Sequence, residues 1–393
     1  MALSEPLNAI PADLVAACDY QRYALARLDA NALAYLQGGA ADELTCQANL
    51  DAWRDWAIVP RMLRDLRGGH TRCQLLGAEL QHPILLAPVA YQRMFHAEGE
   101  LATTLAAGVM GGAAILSSYA SMPMEAVAEA APGPLWFQLY WQGDRPATLA
   151  LLQRAEAAGY RALVLTVDAP VSGARNREQR AAFVLPDGIA AVNIGKPPVV
   201  PQVPAGGSAV FDGMLAIAPG WDDVQWLCRQ TRLPVLLKGI LHPGDARLAM
   251  DAGAAGVIVS NHGGRVLDSQ WPALKALPGI RAALGADVPI LVDGGIRRGT
   301  DVFKAVALGA DAVLIGRPYI HALATAGALG VAHLIRLLRE ELEMAMALSG
   351  CRTLNEINAD LLCRTNEWSC PPKKPRGIQS GVRLRDPQYK SRR

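Results

Sequence analysis

Eight short apolar runs recur along this chain, and their spacing constrains the fold more than any other feature. They are Ile84–Val89, Ala113–Ser118, Leu135–Tyr140, Ala162–Asp168, Val235–Gly239, Gly256–Asn261, Ile290–Gly294 and Ala312–Gly316. Each is hydrophobic throughout rather than alternating, as expected of parallel strands covered on both faces. Helix-like stretches lie between them, among them Gly99–Met110, Arg145–Gly159, Pro243–Gly253 and Gly299–Gly309. Strand and helix alternating eight times predict an α/β fold, a (β/α)8 TIM barrel over about residues 81–350. An open doubly wound sheet is the structural alternative. Residues 1–80 precede the barrel and read as short helices capping it.

The balance of residues suits such a core. Of 393 residues, 51% are hydrophobic and 19% charged, which argues against disorder. A net charge of +2 gives the molecule no general drive toward nucleic acid. The seven cysteines (18, 46, 73, 228, 351, 363, 370) are scattered and include no C-x-x-C pair. They read as reduced thiols in a protein without a metal site. The opening MALSEPLNAIPADL lacks a basic start, an apolar centre and a cleavage site, and no uninterrupted apolar segment reaches a membrane span. The expected location is therefore the cytoplasm.

One repeat is not compact. Between Asp168 and Val235 lie Pro186-Asp187-Gly188, the Pro-rich Lys196–Pro204 and Gly206-Gly207, with no firm element over about 40 residues. A loop over about 173–220, following the fourth strand, belongs on the C-terminal face of the barrel, where it reads as a mobile active-site lid. The last residues, 371–393, are Pro-rich and basic. They suggest a solvated tail or a segment lying across a neighbouring subunit, with nucleic-acid contact as the lesser alternative.

Chemistry in such a barrel gathers where strands end. Here the ends carry Pro88-Val89-Ala90, Ser117-Ser118, Gln138-Leu139-Tyr140, Thr166-Val167-Asp168, Lys238, Ser260-Asn261-His262, Asp293-Gly294-Gly295 and Gly316-Arg317. Polar groups converging on an apolar rim point to a ligand. The last two ends, Asp293-Gly294-Gly295-Ile296-Arg297 and Ile315-Gly316-Arg317-Pro318, each set glycine and arginine just past a strand, a pattern suited to a phosphate. Inward of it, Lys238 is placed to stabilise negative charge on a reduced flavin ring, and Gln138, Thr166, Ser117 and Ser260 to bond its heteroatoms. His262 and Arg265 then face the remaining opening, a base and a cation suited to a hydroxy acid. Asp168 is placed to orient His262 and raise its pKa, or else simply to cap its strand.

These residues resemble those of the FMN-dependent α-hydroxy acid oxidases and dehydrogenases, the family of glycolate, lactate and hydroxymandelate oxidases. The likeness runs from about Tyr35 to about Ile357. It is most specific in Ser260–Arg265, Leu291–Val302 and Ala345–Cys351, with Gly39–Glu43 and Pro60–Arg64 also typical. The resemblance implies that His262 is the catalytic base, taking a proton as two electrons pass to N5 of FMN, and that Asp168 is its partner. It implies that Arg175 and Arg265 bind the substrate carboxylate with Tyr35, and that Tyr140 contacts the hydroxyl. FMN would be held by Pro88, Val89, Ala90, Ser117, Gln138, Thr166, Lys238, Ser260, Asp293, Gly294, Gly295, Ile296, Arg297, Gly316 and Arg317. Tyr119 and Ser172 depart from the family at the pocket for the substrate's side chain, and Val266 stands where Gln usually follows the arginine. The segment Ala87–Glu100 is closest to the hydroxymandelate and lactate oxidase branches.

The activity so implied is oxidation of an L-2-hydroxy acid, lactate-like, to the 2-oxo acid, with O2 reduced to H2O2. The relatives suggest a homotetramer. A dehydrogenase passing electrons to a quinone or protein stands as an alternative, as does a flavin barrel acting on a phosphorylated substrate. A monooxygenase is disfavoured by Ala90 in place of glycine. A nucleic-acid binder would rest on the basic tail alone.

Overall fold

A computed structural model describes residues 5–195 and 200–367. Part of the Pro-rich stretch Lys196–Pro204 and the whole basic tail from 371 lie outside the described residues. The eight expected runs form eight parallel strands: β1 (Ile84–Leu86), β2 (Ala114–Ser117), β3 (Leu135–Leu139), β4 (Leu163–Thr166), β5 (Val235–Ile240), β6 (Gly256–Val259), β7 (Ile290–Val292) and β8 (Ala312–Ile315). They close into a barrel in chain order, β8 pairing with β1 through Leu85 opposite Leu314. The open-sheet alternative is thereby excluded.

Every residue of these strands is buried except Gly239 on β5, which is half-buried. That explains why they read as unbroken apolar runs. Leu85, Ile115, Trp136, Val164, Leu236, Ile258, Leu291 and Leu314 meet inside the barrel. The alternate strand residues pack outward on the helices: α4 (Gly99–Val109), α5 (Met124–Ala130), α6 (Arg145–Ala157), α8 (Trp221–Arg229), α9 (Pro243–Asp251), α10 (Ala273–Leu284), α11 (Gly299–Ala307) and α12 (Arg317–Ser349).

Residues before the barrel are not all helical. Three helices, α1 (Asp19–Arg27), α2 (Ala30–Gln37) and α3 (Leu44–Asp51), give way to short strands. Trp56–Ile58 pairs antiparallel with Leu362–Arg364, so the two ends of the described chain are stitched together. Cys73–Leu75 and Ala78–Leu80 form a hairpin that places Leu75 and Leu80 in the cluster filling the barrel. Three-residue strands leave too short a pattern to be read from sequence.

Two further expectations need correction. Helix α12, 33 residues long with a mean hydropathy of 1.4 in its most apolar window, is long and apolar enough to cross a bilayer. That window is 67% buried inside the protein, and Ala326 and Gly327 break the helix. The loop after β4 is also less featureless than its composition suggests. It holds a short helix, α7 (Asn176–Arg180), then one π-helical turn, Ala209–Gly213, and one 3-10 turn, Met214–Ile217.

Candidate active site

The C-terminal ends of the strands surround a cavity of about 930 Å3. Its wall carries all but two of the expected site residues: Tyr35, Pro88, Val89, Ala90, Ser117, Tyr119, Gln138, Tyr140, Thr166, Arg175, Lys238, His262, Arg265, Asp293, Gly294, Gly295, Ile296, Arg297, Gly316 and Arg317. Asp168 and Ser260 stand behind the wall. The hydroxyl of Ser260 accepts from Lys238 Nζ at 2.9 Å and donates to Asp293 Oδ2 at 2.9 Å. It also accepts the backbone N–H of His262 at 3.0 Å, so it sets the turn on which the imidazole sits.

His262 occupies the left-handed region (φ 57), a conformation costly for a residue with a side chain and held here by its surroundings. Its Nδ1 lies 2.8 Å from Asp168 Oδ1. With Nδ1 donating, Nε2 is left as an acceptor, 3.4 Å from the Tyr140 hydroxyl. Burial lowers the imidazole pKa, the Asp168 carboxylate draws it up, and Lys238 and Arg265 push it down. The net shift is downward. Asp168 pulls this pKa up, as its placement predicts, but desolvation and two cations outweigh it. Burial alone would raise the Asp168 pKa, yet His262 and Lys238 hold it below the ordinary value, so the carboxylate stays charged.

Asp168 reaches His262 because β5 yields space. The strand register slips between Lys238 and Ile240. Gly239, at φ 110, has its α-carbon against Asp168, where a β-carbon would come within 2.4 Å of the aspartate's own. The same strand directs Lys238 into the cavity. Burial works against its ammonium, but Asp293 (3.3 Å away) and Asp168 more than offset this and raise its pKa.

The opposite side gathers the arginines. Arg265 Nη1 donates to the carbonyls of Tyr35 (2.7 Å) and Gly38 (2.6 Å), which end α2. Arg175 lies beside it, its Nε 3.4 Å from the Arg265 carbonyl. Rings complete the wall. Tyr35 stacks on Phe183 at 5.1 Å, Tyr119 leans on Tyr140 at 5.1 Å, and Tyr91 stacks on Tyr119 at 6.2 Å. Ser172, Leu185, Met214 and Ile217, from the loop after β4, line the same cavity.

Two observations test whether the wall fits FMN. Gln138 Nε2 and Thr166 Oγ1 are buried without a hydrogen-bond partner among the described residues, an arrangement costly unless a ligand supplies one. Arg297 and Arg317 form no ion pair among those residues; Arg297 donates to the Ile296 carbonyl, and Arg317 to those of Leu36, Gly263 and Gly38. Two desolvated guanidiniums next to Gly294, Gly295 and Gly316 suit a phosphate dianion. The residues present fit the group.

Sequence reasoning missed several supports. Glu178 sits between Arg175 and Arg265. Asn49, on α3, exchanges amide hydrogen bonds with Asn261 at 2.8 and 2.9 Å. Tyr91 and Phe183 extend the aromatic wall. Only Tyr91 and Phe183 carried any signal, as aromatics near expected site segments.

Comparison with known proteins agrees with this geometry. Residues 24–364 match the model of the FMN-dependent dehydrogenase family. An L-lactate oxidase of Alicycliphilus denitrificans is 50% identical over 359 residues, 91% of this chain and 98% of the relative. Glycolate oxidase 1 of Zea mays is 42% identical over 363 residues, 91% and 98% of the two chains. The crystal structure of a mandelate oxidase with benzoylformic acid superposes with a TM-score of 0.81 at 42% identity, covering 89% of this chain and 98% of that one.

Proposed function

This chain belongs to the FMN-dependent dehydrogenase family, and on that premise we propose that it oxidises a small L-2-hydroxy acid, L-lactate first, to the 2-oxo acid while reducing O2 to H2O2. The observation that carries the reading is one cavity wall that fits FMN and also sets a base, His262, across from two arginines. FMN, when bound, accepts two electrons from the hydroxy acid and passes them to oxygen.

The protein's own groups do the rest. Arg265 and Arg175 bind the carboxylate, with Tyr35 beside them, and so fix which face and which carbon of the acid meet the flavin. Tyr140, whose pKa burial holds far above the ordinary phenol value, stays neutral and donates to the substrate hydroxyl. His262 is neutral near pH 7 because its pKa is depressed, so Nε2 is free to accept the substrate's proton. Asp168 then stabilises the imidazolium that forms. Lys238 keeps its charge, and its ammonium, already in place, would offset negative charge on a reduced flavin. The likeness to L-lactate oxidases favours a methyl group as the side chain of the acid, and Tyr119, Tyr91 and Phe183 line the cavity that would receive it.

Two wider expectations belong to the same proposal. Six described cysteines form no disulfide among themselves, in keeping with a reducing cytoplasm. Exposed Leu105 and Val109 on α4 and Leu329 and Leu348 on α12 are apolar surface of the kind a homotetramer would cover.

The test is an anaerobic absorbance titration with L-lactate, glycolate and L-mandelate, followed by air. L-lactate should bleach the flavin at the lowest concentration, and air should restore the colour rapidly. Failure of all three acids to bleach a bound flavin overturns the hydroxy acid assignment. Slow return of colour in air would favour a quinone or protein acceptor instead.

A further inference from the structure

Glu178 holds together the two cations of the carboxylate pocket. Its Oε1 accepts from Arg265 Nη2 at 3.1 Å and Arg175 Nη1 at 3.4 Å, and its side chain is 14% exposed. Arg265 has Nη1 occupied by two backbone carbonyls, so only Nε and Nη2 remain for ligands, and Glu178 takes one place on Nη2. The local chain is built for this contact. Arg175 immediately precedes α7 and Glu178 lies three residues on, so one helical turn puts them on the same side. Arg177, on another face, pairs with Glu43 and ties α7 to the loop before α3. Burial pushes the Arg265 pKa down to about 10, with Tyr35 and Glu178 pulling it up and Arg175 and Arg317 pushing it further down. Two guanidiniums this close, that of Arg265 buried, are stabilised by an anion between them.

We propose that Glu178 is a positioning residue of the carboxylate pocket: one shared oxygen keeps Arg175 and Arg265 convergent, and its charge reduces the pair from two net positive charges to one. The pair is then matched to a substrate with a single carboxylate and disfavours doubly charged acids. This inference rests on the reading that these arginines bind the substrate carboxylate.

Oxamate and oxalate have the same shape and differ by one charge, and neither offers a hydrogen to be removed. Their dissociation constants are measured from the perturbation of the flavin spectrum in the FMN-loaded protein and its variants. Glu178→Gln should shift the preference toward oxalate by roughly tenfold, because one more net positive charge faces the ligand. Its KM for L-lactate should rise more than its kcat falls. Arg175→Gln should weaken oxamate binding. Arg175→Gln/Glu178→Gln, whose net charge equals that of the wild type, should recover part of that loss even if Glu178→Gln alone folds poorly. A merely structural role predicts equal losses of both ligands and no recovery; an unchanged oxalate preference with no recovery overturns the proposal. If neither ligand perturbs the flavin in the wild-type protein, the carboxylate pocket itself is misassigned, and the part given to Glu178 falls with it.

Discussion

Replacing Asp168 by Asn tests the centre of the mechanism. The carboxylate lies 2.8 Å from His262 Nδ1 and its side chain is 4% exposed, so it is little screened by water. When His262 takes a proton, a new ion pair forms with charge centres about 4 Å apart, worth about 4 kcal/mol at an effective dielectric constant of about 20. Losing that interaction in the transition state lowers the rate about a thousandfold. The direction of the pH effect follows from the same contact. Asp168 is the group that pulls the His262 pKa up against burial, so the variant's imidazole pKa falls further. The acid limb of kcat/KM, lost as His262 protonates, therefore moves to lower pH even as the maximum rate drops. Rapid mixing with L-lactate under anaerobic conditions, followed by flavin absorbance across pH, reads both. A fall of less than about tenfold, or an acid limb moved to higher pH, would refute the argument.

Other expectations follow from particular contacts. Gly239→Ala forces a side chain into a left-handed position and onto Asp168; it should cost about 3 kcal/mol in denaturant unfolding and depress turnover. Arg297→Gln removes a guanidinium that donates to the neighbouring Ile296 carbonyl and has no ion pair among the described residues, so FMN affinity, read by fluorescence of released flavin, should fall roughly ten- to a hundredfold. His82 is fully buried, and burial depresses its pKa to about 4. Its contribution is thus intact above about pH 6.5 and fades as pH falls toward 4, a loss of about 3 kcal/mol. Thermal unfolding midpoints between pH 7 and 4 should show it, and His82→Asn should flatten the profile.

The barrel was legible because its strands are buried on both faces, so hydrophobicity alone marks them, and because β/α alternation leaves few topologies. Residues at strand ends were legible for the same reason: His262, Lys238 and Arg317 sit at fixed offsets from apolar runs. Glu178 was not. It lies in Arg175–Arg180, a charged string that reads as a solvated helix face, and only folding turns it toward Arg265. The Asn49–Asn261 pair joins segments 212 positions apart, with nothing local to announce it. The downward pKa of His262 depends on how many cations share its burial, a sum over distant residues that spacing does not carry.

Helix α2 is made early and used late. Its carbonyls at Leu36 and Gly38 bind Arg317 and Arg265, the former 281 residues further along. At about 5–20 residues per second on a ribosome, α2 waits roughly 15 to 55 seconds for that arginine to appear. The barrel's own closure between β8 and β1, through Leu85 and Leu314, waits roughly 11 to 46 seconds. A nascent or prematurely ended chain therefore has neither a phosphate cradle nor a placed carboxylate site. If the proposed oxidase chemistry holds, so that turnover releases peroxide, this order of assembly withholds that chemistry until the whole site is made.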